Sequence, residues 1–500
     1  MSAQNIPGAA MGKEGERKAM RPSNGLTRRD FLRITGAGLA GASLFGLAGC
    51  GQERGGGVAG GDVWKQFKGT TLQFISENTP PTSAIAANLK PFKDRTGIDV
   101  KITQMELGAL VEKVALDFGA GEGQYQVIYA DPYQVLAPYY QGLAELNTFN
   151  EDDSLPSIPK DTGDFIPTQL DAAGKFESEE ELYALPYDAP TMIWMYRKDL
   201  FEKYGDQMRQ DLGFDPTPSD SSTWDQYYQI AKWFNDNANE VKYGTGHQAK
   251  QYDSLMCDFS NILWVYGGDY FENGVEVGRL GSEDPGPALL DQPKALEAAE
   301  FYNKLLSIAH PGSTTWDWNG VDEAFRAGEL AMTPNWHEFA AGIEASDLSG
   351  KVGYARLPTG PARAADMYGG TGIGINSGAP EDEQRAAWLF VVWATSPQTQ
   401  RMGLFSEEGG GTPTRQSVYE IPKVEQAKKR PSEAPNMLTA DAVSKAWEPQ
   451  NIGLRPKIQQ WNECDTIIFT ELSKMLAGDK SPEQAMKYAK AGFDRATGAA

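Results

Sequence analysis

From Thr70 onward, short β-rich runs alternate with longer helical ones, and this alternation constrains the fold more than any other feature of the chain. "TLQFIS" (71–76), "IDVKIT" (98–103) and "YQVIYA" (125–130) read as strands. Between them, "SAIAANLKPFKDRTG" reads as a helix with a glycine stop and "LGALVEKVALDFGAG" as a second helix. An aromatic helix is expected from Tyr133 to Tyr140. The β-α-β-α-β order predicts a parallel, doubly wound α/β sheet. Such sheets bind ligands at the carboxyl ends of their strands, near a switch in strand order. Glu77 and Asn78 follow the first predicted strand, Glu106 the second and Asp131 the third. Three acids and an amide at one sheet edge form a candidate ligand site. The alternative is that loop starts are polar in any case, and that Asp131 only caps a helix before Pro132.

The second half of the chain is more helical. "TWDQYYQIAKWFNDN" opens with a capping box, Thr223 and Gln226. Trp224, Tyr227, Tyr228, Ala231 and Phe234 share one face of it, which is expected to be core. "EDEQRAAWLFVVWAT" (381–395) carries acids in its first turn, where the helix dipole favours them. Its middle is apolar all round, which predicts burial.

The N-terminal stretch "TRRDFLRITGAGLAGASLFGLAGC" has an apolar run of only 16 residues, Ile34 to Gly49, five of them glycine. A spanning helix needs about 20 apolar residues. A basic region, a short apolar region and small residues in that order instead mark an export signal. Arg28 and Arg29 followed by Asp30-Phe31-Leu32 resemble a twin-arginine signal, and Leu47-Ala48-Gly49-Cys50 resembles a lipoprotein box. The resemblance implies that residues 1–49 are a leader and that Cys50 is lipidated. "GQERGGGVAGGD" then reads as a flexible leash within 50–64, with folded structure starting near Trp64.

Without that leader 451 residues remain, more than one compact core usually holds, so two or more lobes are expected. The leader carries seven basic and three acidic side chains, which leaves 39 basic against 65 acidic in the remainder. A net charge near −26 disfavours nucleic acid and anionic lipid surfaces as partners. Besides Cys50 there are only Cys257 and Cys464, and two free buried thiols are expected rather than a bridge. With three histidines they provide no Cys/His cluster of the zinc-finger kind, and no metal or cofactor is implied.

Several further stretches, taken in order, resemble one family. They are "YALPYDAPTMIWMYRKDLFEKYG" (183–205), "TWDQYYQIAKWF", "NILWVYGGDYFENG" (261–274), "AFRAGELAMTPNWHEFA" (324–340), "GYARLPTGP" with "YGGTGIGINSGAPEDEQRAAWLFVVWATSPQTQ", and "GGGTPTRQSVY" (409–419). The pattern spans most of residues 70 to 470 and is similar to that of the bacterial extracellular solute-binding proteins, family 1, the carbohydrate-type receptors of ABC importers. The resemblance implies a two-lobed periplasmic-binding-protein fold of type II, closing on ligand by hinge bending. It suggests lobe one at residues 65–187 and 371–415, and lobe two at 188–370 and 416–500, with Pro186 and the "GGTG" run at the crossings. Glycine there suits either a hinge, through its dihedral freedom, or a plain tight turn.

Sugars present hydroxyl edges and apolar faces, so their sites need carboxylate acceptors and aromatic planes. Trp336 matches the family tryptophan that stacks on the sugar. Tyr187 and Asp188 match a position that meets ligand from the first crossing, and Gly370 and Thr371 are expected to present backbone donors there. Arg415 is expected to reach the cleft, with pairing to a surface acid as the alternative. Trp264, Trp316 and Trp318 are further aromatic candidates, or else packing residues. The stretch "YADPYQ" carries tyrosines and one acid where several sugar binders carry a tryptophan or a charged pair, which leaves the sugar, or a polyol, open. A polyamine is a rival ligand, since acids suit a cation. An exported glycosidase is a rival class, requiring two suitably spaced carboxylates. No G-x-S-x-G, H-E-x-x-H or P-loop pattern occurs. The expected protein is therefore a binder and not an enzyme. It is a monomer, lipid-anchored on the outer face of the cytoplasmic membrane, that passes a sugar to a permease.

Overall fold

The computed structural model describes residues 62–406, 411–427 and 434–499. The predicted leader, Cys50 and most of the leash lie outside the described residues. The first element is a 3₁₀ turn, Val63–Lys65, whose Trp64 N–H is capped by the Asp62 carboxylate at 3.1 Å. No helix among the described residues is long and apolar enough to cross a membrane.

Among the described residues eleven strands follow: β1 (Thr71–Glu77), β2 (Asp99–Met105), β3 (Val127–Ala130), β4 (Ala184–Asp188), β5 (Met192–Arg197), β6 (Tyr243–Thr245), β7 (Leu330–Trp336), β8 (Val352–Ala355), β9 (Asp366–Met367), β10 (Thr371–Ile375) and β11 (Ile452–Gly453). They make two main sheets, β2-β1-β3-β10-β4 and β6-β7-β5-β8, and a short β9-β11 pair. β1, β2 and β3 are mutually parallel, while β10 runs antiparallel to both β3 and β4. In the second sheet β5 runs antiparallel to both β7 and β8, while β6 and β7 are parallel. Each sheet thus has one reversed strand, and it is the strand that enters from the other lobe. β4 leads through residues 189–191 into β5, and β9 leads through 368–370 into β10. Chain that leaves one sheet at a carboxyl edge must enter the next sheet starting from that same edge, which reverses its direction.

The first sheet is buried under the helix Glu381–Ala394, with Phe74, Ile128, Ile373, Trp388 and Phe390 in one cluster. The second packs against the helices Trp224–Asn237, Asp253–Val265 and Trp461–Leu476, gathering Trp194, Tyr227, Phe259, Trp461 and Phe493. The capping box at Thr223 and Gln226 is present, and the stripe from Trp224 to Phe234 is core, with Tyr228 at its margin. The single helix expected over 83–97 is two, Pro80–Ala87 and Lys90–Thr96. Pro91 has no N–H to continue the first ladder. The expected aromatic helix is instead a π turn, Pro132–Leu136, followed by short helical turns. Cys257 and Cys464 are free and buried.

The two crossings lie side by side. Thr191 and Tyr368 form an antiparallel bridge, and Gly369 N–H donates to Pro190 O at 2.8 Å. Neither Gly369 nor Gly370 has a positive φ. Their requirement is close approach: a Cβ at Gly369 would sit 2.6 Å from the Trp336 ring, and one at Gly370 would clash with the Tyr368 hydroxyl. The dihedral reason for glycine at these positions is therefore replaced by a steric one.

Candidate functional site

The carboxyl edges of the two sheets face one cavity of about 220 Å³. From the first sheet come Glu77 at the end of β1, Glu106 after β2, Tyr129 in β3, Asp131 after it and Asp188 at the end of β4. From the second come Trp336 at the end of β7, Glu338 and Phe339 after it, Trp318, Asn319, Asp253 and Arg455. Pro190 and Gly369 of the crossings complete the wall. Asn78, Thr79 and Glu106 form its more exposed lip.

Six carboxyls meet one cation, Arg455, among the described lining residues. Arg455 is buried and lies over the Tyr133 ring at 4.1 Å. Its guanidinium reaches Asp131 at 3.7 Å and Asp253 at 3.6 Å, bridging a first-sheet loop to a second-lobe helix. Its Nε–H finds no partner among the described residues. Asp131 also caps the π turn, its Oδ1 accepting from Tyr133 N–H at 2.9 Å and Gln134 N–H at 2.7 Å. The two readings of Asp131, cap and site wall, therefore hold together. Asp253 accepts from Gln134 Nε2 at 2.9 Å. Burial, and then Asp131, push the Asp253 carboxyl up, against the opposing pull of Arg455. Glu77 accepts a 2.7 Å hydrogen bond from the Tyr129 hydroxyl. Burial, with Asp131, Asp253 and Glu106 nearby, still pushes Glu77 up to about 8.

A second polar cluster ties β4, β7 and the 411–419 segment together. Asp188 and Glu338 are hydrogen-bonded to each other, and both are raised by burial, Asp188 to about 6. Two facing buried carboxyls share a proton. Thr412 N–H donates to Asp188 at 2.9 Å and its hydroxyl donates to Glu338 at 2.9 Å. His337 Nδ1 accepts from Thr191 N–H at 3.0 Å, so Nε2 carries the proton that reaches Thr412 Oγ1 at 2.6 Å. Burial holds His337 neutral, down at about 4.

Residues 75–401 match the family described as bacterial extracellular solute-binding protein. The chain belongs to this family. One relative, a probable amino-acid ABC transporter periplasmic-binding protein of Sinorhizobium fredii, is 22% identical over 84% of this chain and 88% of its own length. The erythritol/L-threitol-binding protein of Mycolicibacterium smegmatis is 24% identical, over 79% of this chain and 82% of its own. Among solved structures, an Agrobacterium radiobacter ABC transporter solute-binding protein in complex with ribitol superposes with a TM-score of 0.70. It is 25% identical and covers 85% of this chain and 98% of its own. The two-lobed architecture is the one these proteins share.

In this solute-binding protein the cavity brings together Glu77, Asn78, Glu106, Asp131, Asp188 and Trp336. The other expected site residues lie elsewhere. Tyr187 is buried beside the cavity, its hydroxyl paired with Thr82 at 2.9 Å. Thr371 acts from behind the wall, donating its hydroxyl to Tyr129 at 3.1 Å, and Gly370 is packed on Tyr368. Trp264 is a core residue against Gly453. Arg415 does not reach the cleft. Its guanidinium is fully buried over Phe165 and donates to the carbonyls of Thr395 at 3.0 Å, Pro159 at 2.8 Å and Asp161 at 3.0 Å. Of the other tryptophans, Trp318 lines the cavity and Trp316 stacks on His310. Tyr129, Asp253, Glu338, Phe339 and Arg455 were not anticipated. Tyr129 and Glu338 had a usable signal, being neighbours of Asp131 and Trp336; Asp253 and Arg455 had none.

Proposed function

We propose that this solute-binding protein is the extracytoplasmic receptor of an ABC importer for a sugar or sugar alcohol. The observation that carries the reading is the wall of the cavity: the Trp336 plane, ionisable acceptors and one unsaturated guanidinium line the same space. A hydroxyl donates to a carboxylate and accepts from a guanidinium, so a polyhydroxylated solute serves both. A free amino acid would bring its own carboxylate into a space lined by six acidic residues, several of them already pushed up by burial, with one cation to offset it. A polyamine would offer the Arg455 guanidinium no acceptor and would add a like charge beside it. The erythritol- and ribitol-binding proteins described above support a hydroxylated cargo.

Binding here requires no bond to form or break, so the protein acts by closing on its ligand and presenting it to a permease. The leader pattern supports export by the twin-arginine route, acylation of Cys50 and tethering through residues 50–64 on the outer face of the membrane. The sheet memberships support lobes at 65–187 with 371–415 and at 188–370 with 416–500.

Thermal melting of the full chain against monosaccharides, oligosaccharides, sugar alcohols, amino acids and polyamines tests this reading. A ligand that binds only the folded state raises the melting temperature. A rise with a hydroxylated, uncharged class is expected. A rise with amino acids or polyamines alone would sink the cargo assignment.

A further inference from the structure

We infer that the cavity takes a single polyhydroxylated unit, a monosaccharide or an acyclic polyol of that size, with Arg455 donating to one of its oxygens, and that it excludes oligosaccharides. This rests on the sugar or sugar-alcohol reading and narrows it. The first ground is volume. The cavity's 220 Å³ lies below the roughly 300–1,000 Å³ of pockets that enclose drug-sized ligands.

The second ground is that the cleft is bridged by two polar links whose carboxyls, with Arg455, line the cavity. Asp131–Arg455–Asp253 joins the β3 loop to the helix Asp253–Val265. Asp188–Thr412–Glu338 joins the end of β4 to the residues after β7. A second sugar ring extending along the cleft would have to break at least one such link. That would strand buried charges, whose exposure without partners is costly.

The third ground is Arg455 itself. Its contacts to Asp131 and Asp253 are 3.7 and 3.6 Å, beyond hydrogen-bond range, and its Nε–H is unpaired among the described residues. The guanidinium lines the cavity while its Nε–H is enclosed and unpaired, so a ligand oxygen is the acceptor the residue lacks. Asp131 and Asp253, held beside the same guanidinium, offer acceptors for that hydroxyl's own proton.

The experiment is isothermal titration of the full-length protein with erythritol, ribitol, mannitol, glucose, maltose and maltotriose, alongside Arg455→Lys. We expect at least one of the single-unit probes to bind, and maltose and maltotriose to bind at least about 100-fold more weakly. Arg455→Lys keeps the positive charge between the acids but loses the Nε–H. It should weaken the best probe about tenfold, measured at a temperature where the variant is fully folded. Maltose or maltotriose binding as tightly as the best single unit would overturn the size limit while leaving the sugar receptor intact. Silence from every probe on folded protein would remove the sugar reading together with this one. An unchanged affinity in Arg455→Lys would remove Arg455 as a ligand contact.

Discussion

Arg455 and Lys457 lie two residues apart on the segment that follows β11, and both are buried cations, yet their surroundings are opposite. Lys457 is fully enclosed, and its ammonium has four carbonyl oxygens in range: Asp171 at 2.9 Å, Ala172 at 2.9 Å, Lys175 at 2.6 Å and Arg279 at 2.8 Å. These carbonyls lie at the ends of two helices, Pro167–Gly174 against the first sheet and Gly274–Arg279 in the second lobe. Helix C-termini carry partial negative charge and unpaired carbonyls, so one ammonium satisfies both ends at once. Four acceptors exceed its three N–H groups, and nothing is left over. Arg455 has only long ion pairs, a ring beneath it and a spare N–H. A saturated buried cation is a fastener between lobes. An unsaturated one on a cavity wall has bonding capacity left for a ligand.

The sharpest way to break this comparison is Lys457→Met. The substitution keeps the stem and strands four carbonyls in the interior. It should cost about 3 kcal/mol or more of stability, read by denaturant unfolding. Its effect on ligand affinity, measured where the variant is fully folded, should be smaller than that of Arg455→Lys. Equal losses of affinity from the two variants would erase the distinction between fastener and contact.

The next effect is expected at Trp336. The indole is half-buried and leans on Gly369, whose missing Cβ gives the ring its seat. Trp336→Ala should weaken binding of the hydroxylated ligand about 100-fold, as loss of an aromatic anchor does, with little change in folding. Gly369→Ala should give a smaller loss of the same kind by displacing the ring. Unchanged affinity in Trp336→Ala, measured by calorimetry, would move the site away from the β7 edge.

How much of this could be read from the chain depends on sequence distance. Glu77, Glu106 and Asp131 could be placed together because each follows a strand in a β-α-β series, and parallel strands bring such positions to one edge. Trp336 and Asp188 came from motif resemblance, and both line the cavity. Arg455 and Asp253 lie outside any local pattern; only the tertiary fold sets them beside Asp131, itself 122 residues from Asp253. Arg415 shows the converse failure. A lone arginine after "TPT" suggested a cleft contact, but its Nε and Nη1 donors are taken by carbonyls of two separate segments, at Thr395 and at Pro159 and Asp161. Its Nη2 finds no partner among the described residues, but the side chain lies off the cavity wall, so its place in the fold keeps it from a ligand. Residue type announced a charge in all three cases, and only the tertiary fold told which of them lines the cavity.

The smallest effect probes the acid side of the same comparison. Glu77 is pushed up to about 8, chiefly by burial and then by Asp131, Asp253 and Glu106, against the lowering bond from Tyr129. A glutamate in the unfolded chain titrates near 4.3. The folded protein therefore holds a proton that the unfolded chain releases. That proton's contribution to stability is fully present below about pH 4.3 and is lost progressively as pH rises to about 8. Glu77→Gln has nearly the same shape and no titration. Without ligand, the variant and the parent should melt together near pH 4.5, and the variant should melt about 2 °C higher by pH 8, with no further gain above it. Parallel melting curves across that range would mean that the β1 end of the cavity is wetter than its geometry implies. The carboxyl would then be an ionised acceptor at neutral pH, not a proton-bearing one, and the ligand hydroxyl facing it would have to donate.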